Sequence, residues 1–188
     1  YHSKLLKESK GILDLVGGEQ ISIDIGIPEG DMWILNSNPE LLDFYIENDG
    51  LSFDPMVKSP TVVQNTISAW NTFAKDHYSP VLEGFSKHFN IQQGVSISRL
   101  NKEGNSLGIA IGSSNKTNNF QTKVLENIPI INKFITYLNQ TFSYITQEKS
   151  IFIPSCRNDF HCETSVIDCA IAKRFQALKS IKKVTNDD

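Results

Sequence analysis

Residues 20–27 read QISIDIGI, with Ile21, Ile23, Ile25 and Ile27 alternating against small or polar neighbours. A side-chain period of two marks a β-strand with one buried face. The turn residues IPEGD and the apolar run MWIL follow, so residues 20–36 are predicted as a hairpin. On its N-terminal side, residues 3–16 (SKLLKESKGILDLV) place Leu5, Leu6, Ile12, Leu13 and Val16 at near-helical spacing despite Gly11, and Gly17-Gly18 stops that helix. On its C-terminal side, NSNPELLDFYIEND offers Asn38 as N-cap, Pro39 at the first helical position and Glu40 in the first turn. That second helix is expected to end near Gly50.

Further along, Pro60 and the polar VVQNTISAW predict a loop or short strand leading to Trp70. HYSPVLEGFSKHF then carries Val81, Leu82, Phe85 and Phe89 at helical spacing. GVSISRL, the turn NKEGN and SLGIAIGSS form a second hairpin, with Gly104 where the turn needs positive φ. After the polar loop KTNNF, residues 120–149 hold Val124, Leu125, Ile128, Ile131, Phe134, Ile135, Leu138, Phe142 and Ile145, the spacing of one long amphipathic helix interrupted or kinked at Pro129. The order helix, hairpin, helix, helix, hairpin, long helix describes an α+β fold, an α-β-α sandwich around a central antiparallel sheet.

Composition narrows the function classes. A chain of 188 residues with 39% hydrophobic and 21% charged content and a net charge of −3 is an ordinary globular domain, neither disordered nor coated for nucleic acid. No apolar run approaches the roughly 18–20 residues a bilayer span requires, so no membrane association and a cytoplasmic location are expected. A first residue of Tyr1 rather than Met predicts a fragment of something longer. Cys156, Cys162 and Cys169 are odd in number, which argues against a disulfide framework. With His161 they form a zinc-ligand set on paper, but adjacent His161 and Cys162 do not repeat the usual paired spacing, and ordinary thiols are the plainer reading. No cofactor is expected. His2, His77, His88 and His161 are scattered, and Asp76-His77 and Asp168-Cys169 are sequence neighbours, which rarely face each other; no enzyme is expected.

From Asn36 to Ser114 the chain resembles the autoinducer-binding domain of LuxR-type quorum-sensing regulators. FYIENDGLSFDPMV carries Tyr45 and, nine residues on, Asp54-Pro55 followed by Met56 and Val57, as in that family. Trp70 follows at the distance of the family's pocket Trp, allowing one extra residue. FSKHFNIQQGVSIS has Phe89, Ile91 and Gly94 in register, although Asn90 stands where a Gly usually follows the Phe. NKEGNSLGIAIGSS is similar to the hairpin that closes the domain.

The resemblance implies that the sandwich encloses a small-molecule pocket. Asp54 would accept a hydrogen bond from the amide N–H of an N-acyl homoserine lactone, a task suited to a carboxylate because it only accepts when ionised and binds with charge assistance. Its plainer role is to cap a turn before Pro55. Tyr45, Trp70 and Met56 would line the pocket, or simply pack the core. Two anchors of the lactone head are missing: the family's indole donor falls on Leu41 and its phenol on Ser37. Each unsatisfied carbonyl would cost on the order of 1–3 kcal/mol, so the usual lactone is expected to bind poorly. Trp33 on the neighbouring strand is the candidate substitute donor.

The expected protein is thus a ligand-sensing domain over residues 1–172, followed by a basic helix or linker over 173–188 that carries Lys173, Arg174, Lys179, Lys182 and Lys183. Its signal would be acylated or otherwise amphipathic, and DNA would be reached only through a C-terminal domain absent from the chain. A homodimer is a candidate assembly. The competing readings are a ligand-free dimerisation or interaction module on the same fold, and a PAS- or GAF-like sensor.

Overall fold

The isoleucine alternation does build the centre of the molecule. The computed structural model describes residues 1–26, 32–48, 66–70, 80–100, 106–116, 119–142 and 152–153. Among them run α1 (His2–Val16), β1 (Gln20–Gly26), β2 (Met32–Asn36), α2 (Pro39–Glu47), β3 (Thr66–Ala69), α3 (Pro80–Phe89), β4 (Gln93–Leu100), β5 (Ser106–Ser113), α4 (Asn119–Glu126), α5 (Ile128–Thr141) and β6 (Phe152–Ile153). The six strands form one antiparallel sheet in the order β3-β4-β5-β1-β2-β6. Both predicted hairpins are present, and β1 joins them by pairing with β2 on one side and β5 on the other.

Register decides which side chains share a face. Ile21, Ile23 and Ile25 lie opposite Ile111, Ile109 and Leu107 on β5, which in turn lie opposite Val95, Ile97 and Arg99 on β4. The isoleucines and Val95 among them are buried, Leu107 is half-buried, and they pack beneath α1, α4 and α5 through Leu5, Leu13, Val16, Phe120, Val124, Ile131, Ile135 and Leu138. Burying a side chain of this size stabilises the fold by about 1.5–3 kcal/mol, so this layer dominates its stability. Helix α2 straddles the sheet: Leu42 joins this core, while Leu41 and Tyr45 face a second apolar cluster shared with α3.

The helix ends follow their local chemistry. Gly17 closes α1 in the left-handed conformation at φ 75°, with its N–H and that of Gly18 bonded to the Leu13 carbonyl at 2.8 and 2.9 Å. Asn38 caps α2 by accepting the Glu40 N–H at 3.1 Å, ahead of Pro39. The predicted long helix is two: α4 ends at Glu126, Asn127 folds its amide onto the Lys123 carbonyl at 2.8 Å, and Pro129 sits in the first turn of α5. Proline tolerates a first turn and disrupts an interior, so the pattern of one helix is met by a pair. Residues 143–149 of that prediction, the turns at 27–31 and 101–105, and the basic segment 173–188 lie outside the described residues.

Asn90 is the one described non-glycine residue with positive φ, at 55°. It stands where the resemblance expects glycine, and asparagine is among the few side chains that adopt this region readily. The turn is closed by the Ile91 N–H bonded to the Phe85 carbonyl at 3.1 Å. Asn90 is exposed, and its side chain has one long hydrogen bond, accepted by Oδ1 from the Gln92 amide at 3.4 Å, so substitutions there report mainly backbone strain. Asn90→Gly is expected to hold or raise the melting temperature, and Asn90→Val to lower stability by about 1–2 kcal/mol. Equal melting of the two variants would remove the strain account.

Candidate functional site

The other face of the sheet has a different character. Ser22 and Asp24 on β1 lie opposite Ala110 and Gly108 on β5, which lie opposite Ser96 and Ser98 on β4, with Ser68 of β3 beside Ser96. Where the first face is filled by branched side chains, this one offers hydroxyls, one carboxylate and bare backbone. Such a floor carries hydroxyl and carboxylate groups that can orient a polar group placed against it.

Aromatic side chains stand over one end of the floor. Leu41, Tyr45, Trp70, Val81, Phe85 and Ile91 form a buried cluster, with Phe44, Leu82, Phe89 and Ala110 packed against it. Phe85 is its hub. Its ring centroid lies 5.9 Å from Trp70, 6.1 Å from Tyr45 and 6.2 Å from Phe44, within the range where aromatic pairs add to burial. Trp70 seats its ring on Gly94, where a Cβ would overlap the indole, and donates its Nε1–H to the Ser96 Oγ at 3.0 Å. Gly84 admits the Phe44 ring to α3 in the same way.

The structure sorts the residues singled out by sequence. Tyr45, Trp70 and Leu41 come together in one cluster, with Leu41 one helical turn before Tyr45. Ser37 does not join them: its Oγ accepts the Ile21 N–H at 3.0 Å, extending the β1–β2 ladder. Trp33 pairs with Ile25 and packs against the isoleucine-face core, on the face opposite the aromatic cluster. Asp54, Met56, His77, His161 and the three cysteines lie outside the described residues. His88 packs on Phe44 at 5.4 Å, and His2 donates from Nδ1 to the Asn36 carbonyl at 2.6 Å. Among the described residues no group of three or more His, Cys, Asp or Glu side chains could hold a metal, and no helix is long and apolar enough to cross a membrane.

Sequence reading missed Phe85 as the hub, Ser96 as the indole acceptor and Asp24 as part of the floor. The signal was the alternation itself: the polar positions of QISIDIG and SIS, and the Gly-Ile-Ala-Ile-Gly of β5, mark a second face of uniformly small or polar residues.

In fold the chain is similar to several solved structures, among them a LuxR-family transcription factor. It matches CepR2 of Burkholderia cenocepacia, an N-acylhomoserine-lactone-dependent LuxR-family transcription factor, with a TM-score of 0.55, 14% identity, and coverage of 78% of this chain and 85% of that one. Against Escherichia coli SdiA the TM-score is 0.55 at 9% identity, covering 85% of this chain and 67% of the other. Against SdiA in complex with octanoyl-rac-glycerol it is 0.55 at 12% identity, covering 96% and 79%. No protein-family model and no curated protein matches the sequence. Identities this low speak for a shared fold.

Proposed function

We propose that this chain is the signal-sensing domain of a LuxR-type transcription regulator, holding an amphipathic small molecule between the Tyr45–Phe85–Trp70 wall and the serine-lined floor. The observation that carries the reading is the contrast between the two sheet faces: one packed with isoleucine, the other kept small and polar beneath an aromatic cluster. Apolar walls with a few placed polar groups are what a small amphiphile needs. Asp54 would receive an N–H or O–H of the head group. The domain would occupy residues 1–172, with 173–188 leading to a DNA-binding domain beyond this chain; a homodimer in the cytoplasm suits that role, and the site binds rather than catalyses.

The signal is better served by a head group other than a homoserine lactone. Leu41 is buried in the cluster and cannot donate, and the Ser37 hydroxyl is engaged with the backbone of β1. CepR2 depends on N-acylhomoserine lactone and SdiA is solved in complex with octanoyl-rac-glycerol, so similar folds accommodate both kinds of head.

Thermal melting with the two head groups on one octanoyl chain tests this. A ligand at a hundredfold excess over Kd stabilises by about 2.7 kcal/mol, or several degrees in a domain of this size. Octanoyl-glycerol is expected to give such a shift and N-octanoyl homoserine lactone almost none. Leu41→Trp, which installs an indole in the cluster at some overpacking cost, is expected to raise the lactone response. Ser37→Tyr is the poorer repair because it strips the Ile21 N–H of its acceptor. No shift from either compound at saturating concentration would overturn the sensing reading in favour of a self-filled interaction module.

A further inference from the structure

The helices over the isoleucine face leave an apolar stripe at the surface. On α5, Ile130, Phe134 and Tyr137 recur at helical spacing along one flank. Ile130 and Tyr137 are 49% and 42% exposed, and Phe134 stacks on Tyr137 at 6.2 Å. α1 stands beside that flank: the Tyr137 hydroxyl donates to the Glu8 carboxylate, and the Lys4 ammonium lies 5.4 Å from the centre of the Phe142 ring. The two helices therefore run antiparallel, bridged at that end by long side chains. One turn further along each, the same match sets Gly11 opposite Phe134 and Leu15, 39% exposed, opposite Ile130. A Cβ on Gly11 would meet no atom within 4 Å, so the space between the helices is open there, a groove with apolar sides.

The sequence supplies an occupant. Residues 154–188 follow β6 and lie outside the described residues. Within them Ile167, Ile171, Phe175, Leu178 and Ile181 recur at spacings of four, four, three and three, the apolar stripe of an amphipathic helix. Residues 170–184 add Lys173, Arg174, Lys179, Lys182 and Lys183 and no acidic residue, a charge of +5 in a chain of net −3, which leaves −8 on the remainder. Opposite charge draws the segment to the body of the domain, and the apolar stripe decides where it settles. Reach is sufficient, because the fourteen residues from Ile153 to Ile167 extend to about 46 Å. A six-stranded sheet is only about 24 Å wide, and α1 packs on β1 and β2, beside β6. A second copy of the chain is the rival occupant, but a tethered segment meets its groove at an effective concentration in the millimolar range, which a second copy at micromolar concentration does not match. We propose that residues 167–181 dock as a helix in the α1–α5 groove, with an apolar side chain seated over Gly11, and so fix the direction in which the basic segment leaves the domain. The groove is on the side of the sheet away from the aromatic cluster, so the inference stands or falls independently of any signal.

Limited trypsin digestion of the full chain, with cleavage after Lys179 followed by mass spectrometry, reads the docking directly. A docked segment is cut only when it leaves the groove, so the rate follows the undocked population. Ile130→Asp sits in the first turn of α5, where an acid suits the helix dipole, and leaves the cleavage sequence intact. It is expected to speed cleavage after Lys179 about tenfold. Gly11→Lys puts a helix-favouring residue at an open position and sets bulk and like charge against the segment. The same acceleration is expected from it, and it decides the matter if Ile130→Asp does not fold. Both changes together are expected to act no more strongly than either alone, because they disrupt one docking event. Thr136→Asp, exposed on another flank of α5, controls for the added charge and is expected to change nothing. Equal cleavage in the unmodified chain and both groove variants overturns the docking. Protection of Lys179 that disappears on dilution shows a second copy in the groove and overturns the tethered occupant.

Discussion

Phe85→Ala is expected to lower unfolding stability by about 3–5 kcal/mol, the range for truncating a buried phenylalanine. The residue is 6% exposed and touches three aromatic rings contributed by α2 and by Trp70. Removing it leaves Tyr45, Phe44 and Trp70 facing a void that α3 cannot close, because Gly84 on the same helix already admits the Phe44 ring to the α3 backbone. For a domain of this length the melting temperature should drop by roughly 6–20 °C. Differential scanning calorimetry checks it. A loss below about 1 kcal/mol would mean that Phe85 is a peripheral wall rather than the hub.

Gly94→Ala is expected to cost about 2–4 kcal/mol, more than one methyl group ordinarily does, because nothing around it can yield. The new Cβ would lie 2.6 Å from Trp70 Cε2 and closer still to two other ring atoms. The indole is held from the far side by Phe85 and from the edge by Ser96 at 3.0 Å. Either the ring lifts and its N–H loses Ser96, or β4 moves away from β5 and strains the ladder. In a Trp33→Phe background Trp70 is the remaining tryptophan, so its emission reports which occurs: a red shift is expected as the ring leaves the cluster. Unchanged emission and melting would show that Trp70 does not rest on Gly94.

Much of this was legible from sequence, and the reasons are local. The alternation of Ile21, Ile23 and Ile25, the capping of α2 by Asn38 ahead of Pro39, and the stop at Gly17 each depend on a few adjacent residues, and each is realised. β6 was invisible because two residues, Phe152 and Ile153, carry no period. The break at Asn127 was visible only as a proline inside an otherwise helical pattern. In the site, Tyr45 and Trp70 were named by position, but their convergence on Phe85 depends on how α2 and α3 pack, which spacing does not encode. Trp33 shows the limit most plainly: its distance along the chain from the site is short, yet one residue of strand parity turns it to the opposite face.

The pairing of β1 has a consequence for how the chain is made. β1 pairs with the next strand in the chain, β2, but its other edge waits for β5, from Gly26 with Ser106 to Gln20 with Gly112, partners 80 to 92 residues later. At roughly 5–20 residues per second on the ribosome, that interval lasts on the order of 4 to 18 seconds. Through it, both outer edges of the isoleucine hairpin are unpaired, that of β2 until β6, and α1 alone of the three helices over the isoleucine face has been made. The same strand that anchors the finished sheet is therefore, during synthesis, the segment most in need of a chaperone or of rapid elongation through residue 113.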